Sequence, residues 1–112
     1  MNLRNIEYVL SIAETGSFSK SAKHLYISQP ALSQAILRLE DDLGVKLFIR
    51  RDNETALTRA GELFVKDAKK ILMISNQIKK KMEDIQQVRH YIAILRKQCD
   101  HHEPAGYPPF FS

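Results

Sequence analysis

Cysteine is nearly absent from this 112-residue chain. Cys99 stands alone, so no internal disulfide can form, and the sequence fits a reducing compartment. Long apolar runs are missing too. Arg4, Glu7 and Glu14 interrupt the apolar residues of the N-terminal segment, which therefore lacks the unbroken stretch of a signal peptide or membrane span. No membrane association and residence in the cytoplasm are expected. No Ser/His/Asp group, carboxylate pair, P-loop or GxGxxG run stands at usable spacing, so the chain reads as a non-enzyme without a cofactor. Cys99, His101 and His102 crowd together but lack paired zinc-ligand spacing and a second half-site. His24, isolated on a short helix, reads as a surface or partly packed residue rather than a catalyst.

Charge of one sign is also lacking where it would be most informative. The net charge is +4, yet residues 1–57 hold seven Lys/Arg against seven Asp/Glu, while residues 58–112 hold ten against six. Bulk charge therefore does not locate a nucleic-acid site, and local arrangement has to do so. The run Lys79-Lys80-Lys81 reads as a solvated helix face. With 44% hydrophobic and 27% charged residues, the chain has the composition of one small globular domain with an extension.

Three short helices are legible first. Leu3, Ile6, Val9, Leu10 and Ala13 recur at helical spacing up to Gly16. Ser19 is a candidate N-cap for a second helix over Ser19 to Leu25, with Tyr26 and Ile27 as the connection. Ser28 caps the third, where Pro30 occupies a first-turn position whose N–H has no helical partner anyway. Leu32, Ile36, Leu39 and Leu43 line one face of that helix, and Gly44 ends it. Val45 to Arg50 and Thr55 to Leu57 are short β-prone runs separated by Asp52 and Asn53, which predicts a hairpin wing.

Two helices joined by a tight turn, the second well capped, have the geometry that sets a helix in the DNA major groove. Gln29, Pro30, Ser33, Gln34, Leu37 and Arg38 point away from the apolar face of the third helix. Gln pairs bidentately with adenine, Ser exchanges hydrogen bonds with several base edges, and Arg reaches guanine or phosphate. The N–H groups at Ser28 suit a phosphate, and Arg50 and Arg51 on the wing suit phosphate or the minor groove. The same polar set also fits an ordinary solvated helix face, and pattern alone leaves both readings open.

The run Phe18-Ser19-Lys20-Ser21-Ala22-Lys23-His24-Leu25-Tyr26-Ile27-Ser28-Gln29-Pro30-Ala31-Leu32-Ser33 resembles the helix-turn-helix of the LysR-type transcriptional regulators. Leu39-Glu40-Asp41-Asp42-Leu43-Gly44-Val45-Lys46-Leu47-Phe48 with Arg50 resembles that family's passage from helix to wing, and Leu57-Thr58-Arg59-Ala60-Gly61 its entry into a linker helix. The resemblance covers residues 1 to about 87. It implies a mainly α fold: a winged helix-turn-helix over 1–58 (the motif itself about 18–37) and a dimerising linker helix over 59–88. It also implies a bacterial regulator that binds a dyad-symmetric promoter site on double-stranded DNA. Base reading carries over to Gln29, Pro30 and Ser33. Gln34 stands where an Arg is frequent and Asn53 where many members have a wing Arg, which leaves Arg50 and Arg51 as the wing cations.

Thr58 precedes a long helical pattern in which Phe64, Ala68, Ile71, Ser75, Ile78, Met82 and Ile85 step by four and three, the spacing of a coiled-coil seam. A second copy is the economical cover for that seam, giving a homodimer or higher oligomer. Arg89 breaks the pattern, and Pro104, Gly106, Pro108 and Pro109 follow, so 89–112 is read as an irregular tail. The effector-binding domain usual in the family is expected to be absent, and with it a small-molecule effector. A truncated or natural short form then has two possible roles: regulator, or inhibitor of a full-length relative through mixed dimers. Replacing Ile78 with Asp is expected to give monomers and abolish tight DNA binding; an unchanged dimer in analytical ultracentrifugation refutes the seam.

Overall fold

A computed structural model describes residues 1–52 and 54–99. Four helices and one hairpin follow in order: α1 Leu3–Thr15, α2 Phe18–His24, α3 Gln29–Leu43, β1 Phe48–Arg51, β2 Glu54–Leu57 and α4 Arg59–Gln98. The chain divides into two compact units, 1–74 and 75–112.

In the first unit the ends of the helices are set by local chemistry. Asn2 caps α1 by accepting from the Asn5 N–H, and Gly16 closes it at φ 67°, a left-handed conformation that costs glycine nothing. Ser28 caps α3 through the Ala31 N–H, and Gly44 closes it at φ 73°. For α2 the cap is Ser17, whose Oγ accepts from the Lys20 N–H, not Ser19 as the sequence suggested. Starting two residues early carries Phe18 into the core, where it is 6% exposed. Thr15 reinforces the α1–α2 corner with a 2.7 Å hydroxyl contact to the fully buried Ser21.

Val9, Ile12, Phe18, Ala22, Leu32, Ile36, Leu39, Leu47 and Phe48 form one contiguous core, with Leu25, Ile27, Leu57 and Phe64 half-buried against it. Burying such side chains stabilises the fold by about 1.5–3 kcal/mol each before entropy is subtracted. Leu43, assigned to the inner face of α3, is instead 39% exposed near the helix end.

The position after Leu39 is filled by Glu40, which is only 6% exposed. Its Oε2 accepts from the backbone N–H groups of Leu47 at 2.6 Å and Phe48 at 3.3 Å, and Lys46 lies 3.8 Å from Oε1. A buried carboxylate is tolerated here because two backbone donors, themselves out of reach of water, point at it.

The wing is an antiparallel pair with Phe48 opposite Leu57 and Arg51 opposite Glu54. It begins at Phe48, not Val45, since residues 45–47 serve as the link that Glu40 holds. Thr58 then joins the wing to α4: its Oγ1 donates to the Lys46 carbonyl and accepts from the Gly61 N–H, while its own N–H donates to the Leu47 carbonyl. At Gly61 the backbones approach so closely that a Cβ would lie 2.1 Å from the Leu47 oxygen.

Two expectations for α4 need correction. Phe64 packs on the core of the first unit and Ala68 is 2% exposed, so neither forms an open seam, and the winged domain extends past residue 58 to include the first turns of the helix. The helix also continues to Gln98, ten residues beyond the expected stop at 88. His90 to Gln98 contains no glycine or proline, so nothing local breaks the ladder there. Residues 100–112, including His101 and His102, lie outside the described residues, as does Asn53.

In the second unit the apolar residues of the helix face outward: Ile78 is 53% exposed, Met82 54%, Ile85 53% and Val88 57%. Ile78, Ile85 and Ile92 recur every seven residues, with Val88 and Leu95 three residues behind the last two. The stripe therefore passes Arg89 by shifting to Val88, which lets it run on to Leu95.

Replacing Glu40 with Ala strands the buried Leu47 N–H and is expected to cost about 2–3 kcal/mol, with Glu40→Gln costing less because it retains an acceptor. Gly61→Ala is expected to cost about 1–3 kcal/mol by overpacking against backbone that cannot rotate away. Urea denaturation with unchanged slope measures all three; wild-type midpoints would contradict both assignments.

Candidate nucleic-acid interface

The exposed face of α3 gathers the predicted base-reading residues on one side of the first unit. Leu32, Ile36 and Leu39 are buried. Gln29, Pro30, Gln34, Leu37 and Arg38 are exposed and Ser33 is half-buried. This division follows from helical geometry: positions three and four apart share a face, so the side turned from Leu32 and Ile36 carries the polar residues, with Pro30 and Leu37 exposed among them.

Two of these side chains are held from outside the helix. Ser19, in the first turn of α2, donates from Oγ to Oε1 of Gln29 at 3.1 Å. With Oε1 on the Ser19 hydroxyl, the Nε2 donors point away from α2. Arg50, on the wing, donates from Nη2 to Oγ of Ser33 at 3.0 Å. Its guanidinium also lies 3.7 Å from the centroid of the Phe18 ring. Phe18 in turn meets Phe48 edge-to-face, centroids 5.8 Å apart at 75°. Residues 48 and 50 point to the same side of β1 by strand alternation, so both converge on Phe18.

Arg51 alternates to the other side of β1 and is exposed. A hollow between the start of α3 and the wing is lined by Ser17, Ser19, Gln29 and Arg50 together with Asp52 and Glu54. The two carboxylates offset part of the wing's positive charge, in keeping with the neutral count of the N-terminal half. Gly16 accepts from the Thr55 N–H at 3.3 Å, which ties β2 to the end of α1 and fixes where the wing stands.

The connection between α2 and α3 contains a feature that composition did not reveal. Tyr26 takes a left-handed φ of 58° and is 95% exposed. A left-handed non-glycine residue costs about 1–2 kcal/mol. The Ile27 N–H reaches back to the Ala22 carbonyl at 3.0 Å and closes the turn around it.

The chain matches the profile of the bacterial regulatory helix-turn-helix proteins of the lysR family over residues 3–62. It belongs to the LysR family. Similar relatives include the HTH-type transcriptional regulator BudR of Klebsiella aerogenes, 45% identical over 85 residues, covering 76% of this chain and 59% of that one. Another is the Hca operon transcriptional activator HcaR of Escherichia coli, 37% identical over 94 residues, covering 84% of this chain and 32% of the relative. The LysR-family chain thus spans little more than half of the first relative and about a third of the second. Among solved structures, the BenM DNA-binding domain in complex with catB site 1 DNA is 35% identical with a TM-score of 0.74, covering 77% of this chain and 96% of that one. The CbnR DNA-binding domain in complex with DNA is 34% identical with a TM-score of 0.70, covering 75% and 97%. The similarity thus takes in nearly the whole of domains that were solved on DNA.

Proposed function

We propose that this LysR-family chain is a sequence-specific DNA-binding transcriptional regulator that reads a dyad-symmetric promoter site as a dimer in the bacterial cytoplasm. The observation that carries the reading is the outward face of α3. Gln29 and Ser33 are oriented there by Ser19 and Arg50, in a chain whose fold matches domains solved in complex with DNA. Gln29, Pro30 and Ser33 contact base edges, Gln34 and Arg38 extend the contact along the groove, and the Ser28 end of the helix meets a phosphate. Asn53 belongs to the same proposed wing contact as Arg51.

Affinity from one short recognition helix is small, and two copies are needed for a useful site. The exposed stripe of Ile78, Met82, Ile85 and Val88 supplies the means, because a second copy of the helix removes it from water. Ile71, 40% exposed, and the half-buried Ser75 precede this stripe in sequence. Among the described residues no helix is long and apolar enough to cross a membrane.

The reading is tested by selecting duplexes from a randomised pool and titrating the enriched site in gel shifts at rising salt. A dimer-sized complex is expected, with log affinity falling linearly in log salt. Gln29→Ala is expected to lose about 1–3 kcal/mol and to relax preference at one base pair per half-site. A chain that dimerises but enriches no sequence would overturn the regulator reading.

A further inference from the structure

Sequence and family place Arg50 on the wing, where a cation ordinarily meets phosphate. The structure spends its guanidinium differently. One face lies on the Phe18 ring at 3.7 Å, and Nη2 is given to Ser33 Oγ at 3.0 Å. Phe18 is 6% exposed and braced by Phe48, so the platform under the guanidinium is part of the core. A serine hydroxyl has one proton and two lone pairs. Once a charged donor occupies a lone pair of Ser33, the oxygen is biased against accepting a second donor on the same side, and its own proton is left for an outside partner.

We infer that Arg50 is a positioning residue that makes Ser33 a hydrogen-bond donor to DNA, and so sets which bases the half-site accepts at that position. A donor hydroxyl pairs with N7 or O6 of guanine, N7 of adenine or O4 of thymine, and it disfavours the N4 amine of cytosine. Phe18 is the second member of the device, because without the ring the guanidinium has no fixed seat. Arg51, on the opposite side of the strand, is the wing cation free to meet phosphate. This inference rests on the DNA-binding reading.

The test compares Arg50→Ala, Arg50→Lys, Arg51→Ala and Ser33→Ala on the duplex enriched by the wild-type chain and on its single-base variants. Removing Arg50 is expected to erase discrimination against cytosine at the Ser33 position, about tenfold in the wild type. The slope of log affinity against log salt should stay unchanged in that variant. Lysine should not restore discrimination, because it keeps the charge but loses the planar fork and the stack. Combining Arg50→Ala with Ser33→Ala should cost no more discrimination than Ser33→Ala alone. Arg51→Ala should instead lower the slope by about 0.9 and leave base preference intact. A slope lowered by about 0.9 in Arg50→Ala, with base preference kept and lysine restoring affinity, would show an ordinary phosphate contact and overturn the inference.

A second readout needs no DNA. In the free protein, NMR should show Arg50 side-chain protons shifted upfield by the Phe18 ring, with the shift lost in Phe18→Leu; unshifted protons overturn the inference even where DNA binds. A wild-type chain that enriches no duplex brings down the DNA-binding reading instead, while the NMR measurement still decides whether Arg50 is seated.

Discussion

The carboxylate of Glu40 holds this domain in its working shape. It lies near the end of α3, and the N–H groups it accepts from belong to Leu47, the last residue of the link, and Phe48, the first of the wing. A charge this deeply buried is costly unless every lone pair directed inward is used, and here two backbone donors and a nearby lysine answer it. The arrangement converts an irregular three-residue link into a fixed corner. Phe48 follows directly and meets Phe18; two residues later Arg50 covers the same ring. The position of the wing against α3 thus descends from one buried side chain.

Most of the helical framework was legible because its boundaries rest on local chemistry. Gly16, Ser28, Pro30 and Gly44 each act through their own backbone or the next turn, and a linear sequence displays such signals directly. The start of α2 was not settled that way, since Ser17 and Ser19 both have a capping hydroxyl. The choice falls to Ser17 because Phe18 is needed in the core, while the Ser19 hydroxyl is engaged with Gln29. That is tertiary information. Glu40 was unreadable for the same reason: an acid one position past Leu39 looks solvated until its partners, seven and eight residues away, are folded beneath it.

The site shows a similar division. Which residues face outward on α3 follows from periodicity, and the polar set was identifiable on that basis. What orients them was not, because Ser19 and Arg50 lie ten and seventeen residues from the side chains they hold. Heptad arithmetic failed in a related way on α4. It assigns Phe64 and Ala68 to the same seam as Ile78 and Ile85, yet spacing cannot say whose core covers a residue, and the first unit claims the earlier pair. Arg89 appeared to end the stripe only because one of two possible heptad partners was followed; Val88 and Leu95 occupy the other.

Gly61 has a consequence of a genetic kind. Every other amino acid encoded at that codon would bring a Cβ, and the space for one is already occupied by the Leu47 carbonyl. Most positions in a core can drift through intermediates of graded size, valine to isoleucine to leucine, with neighbours adjusting at each step. Here no smallest step exists. The join between the wing and α4 is therefore a place where even the smallest side chain forces the backbone to shift.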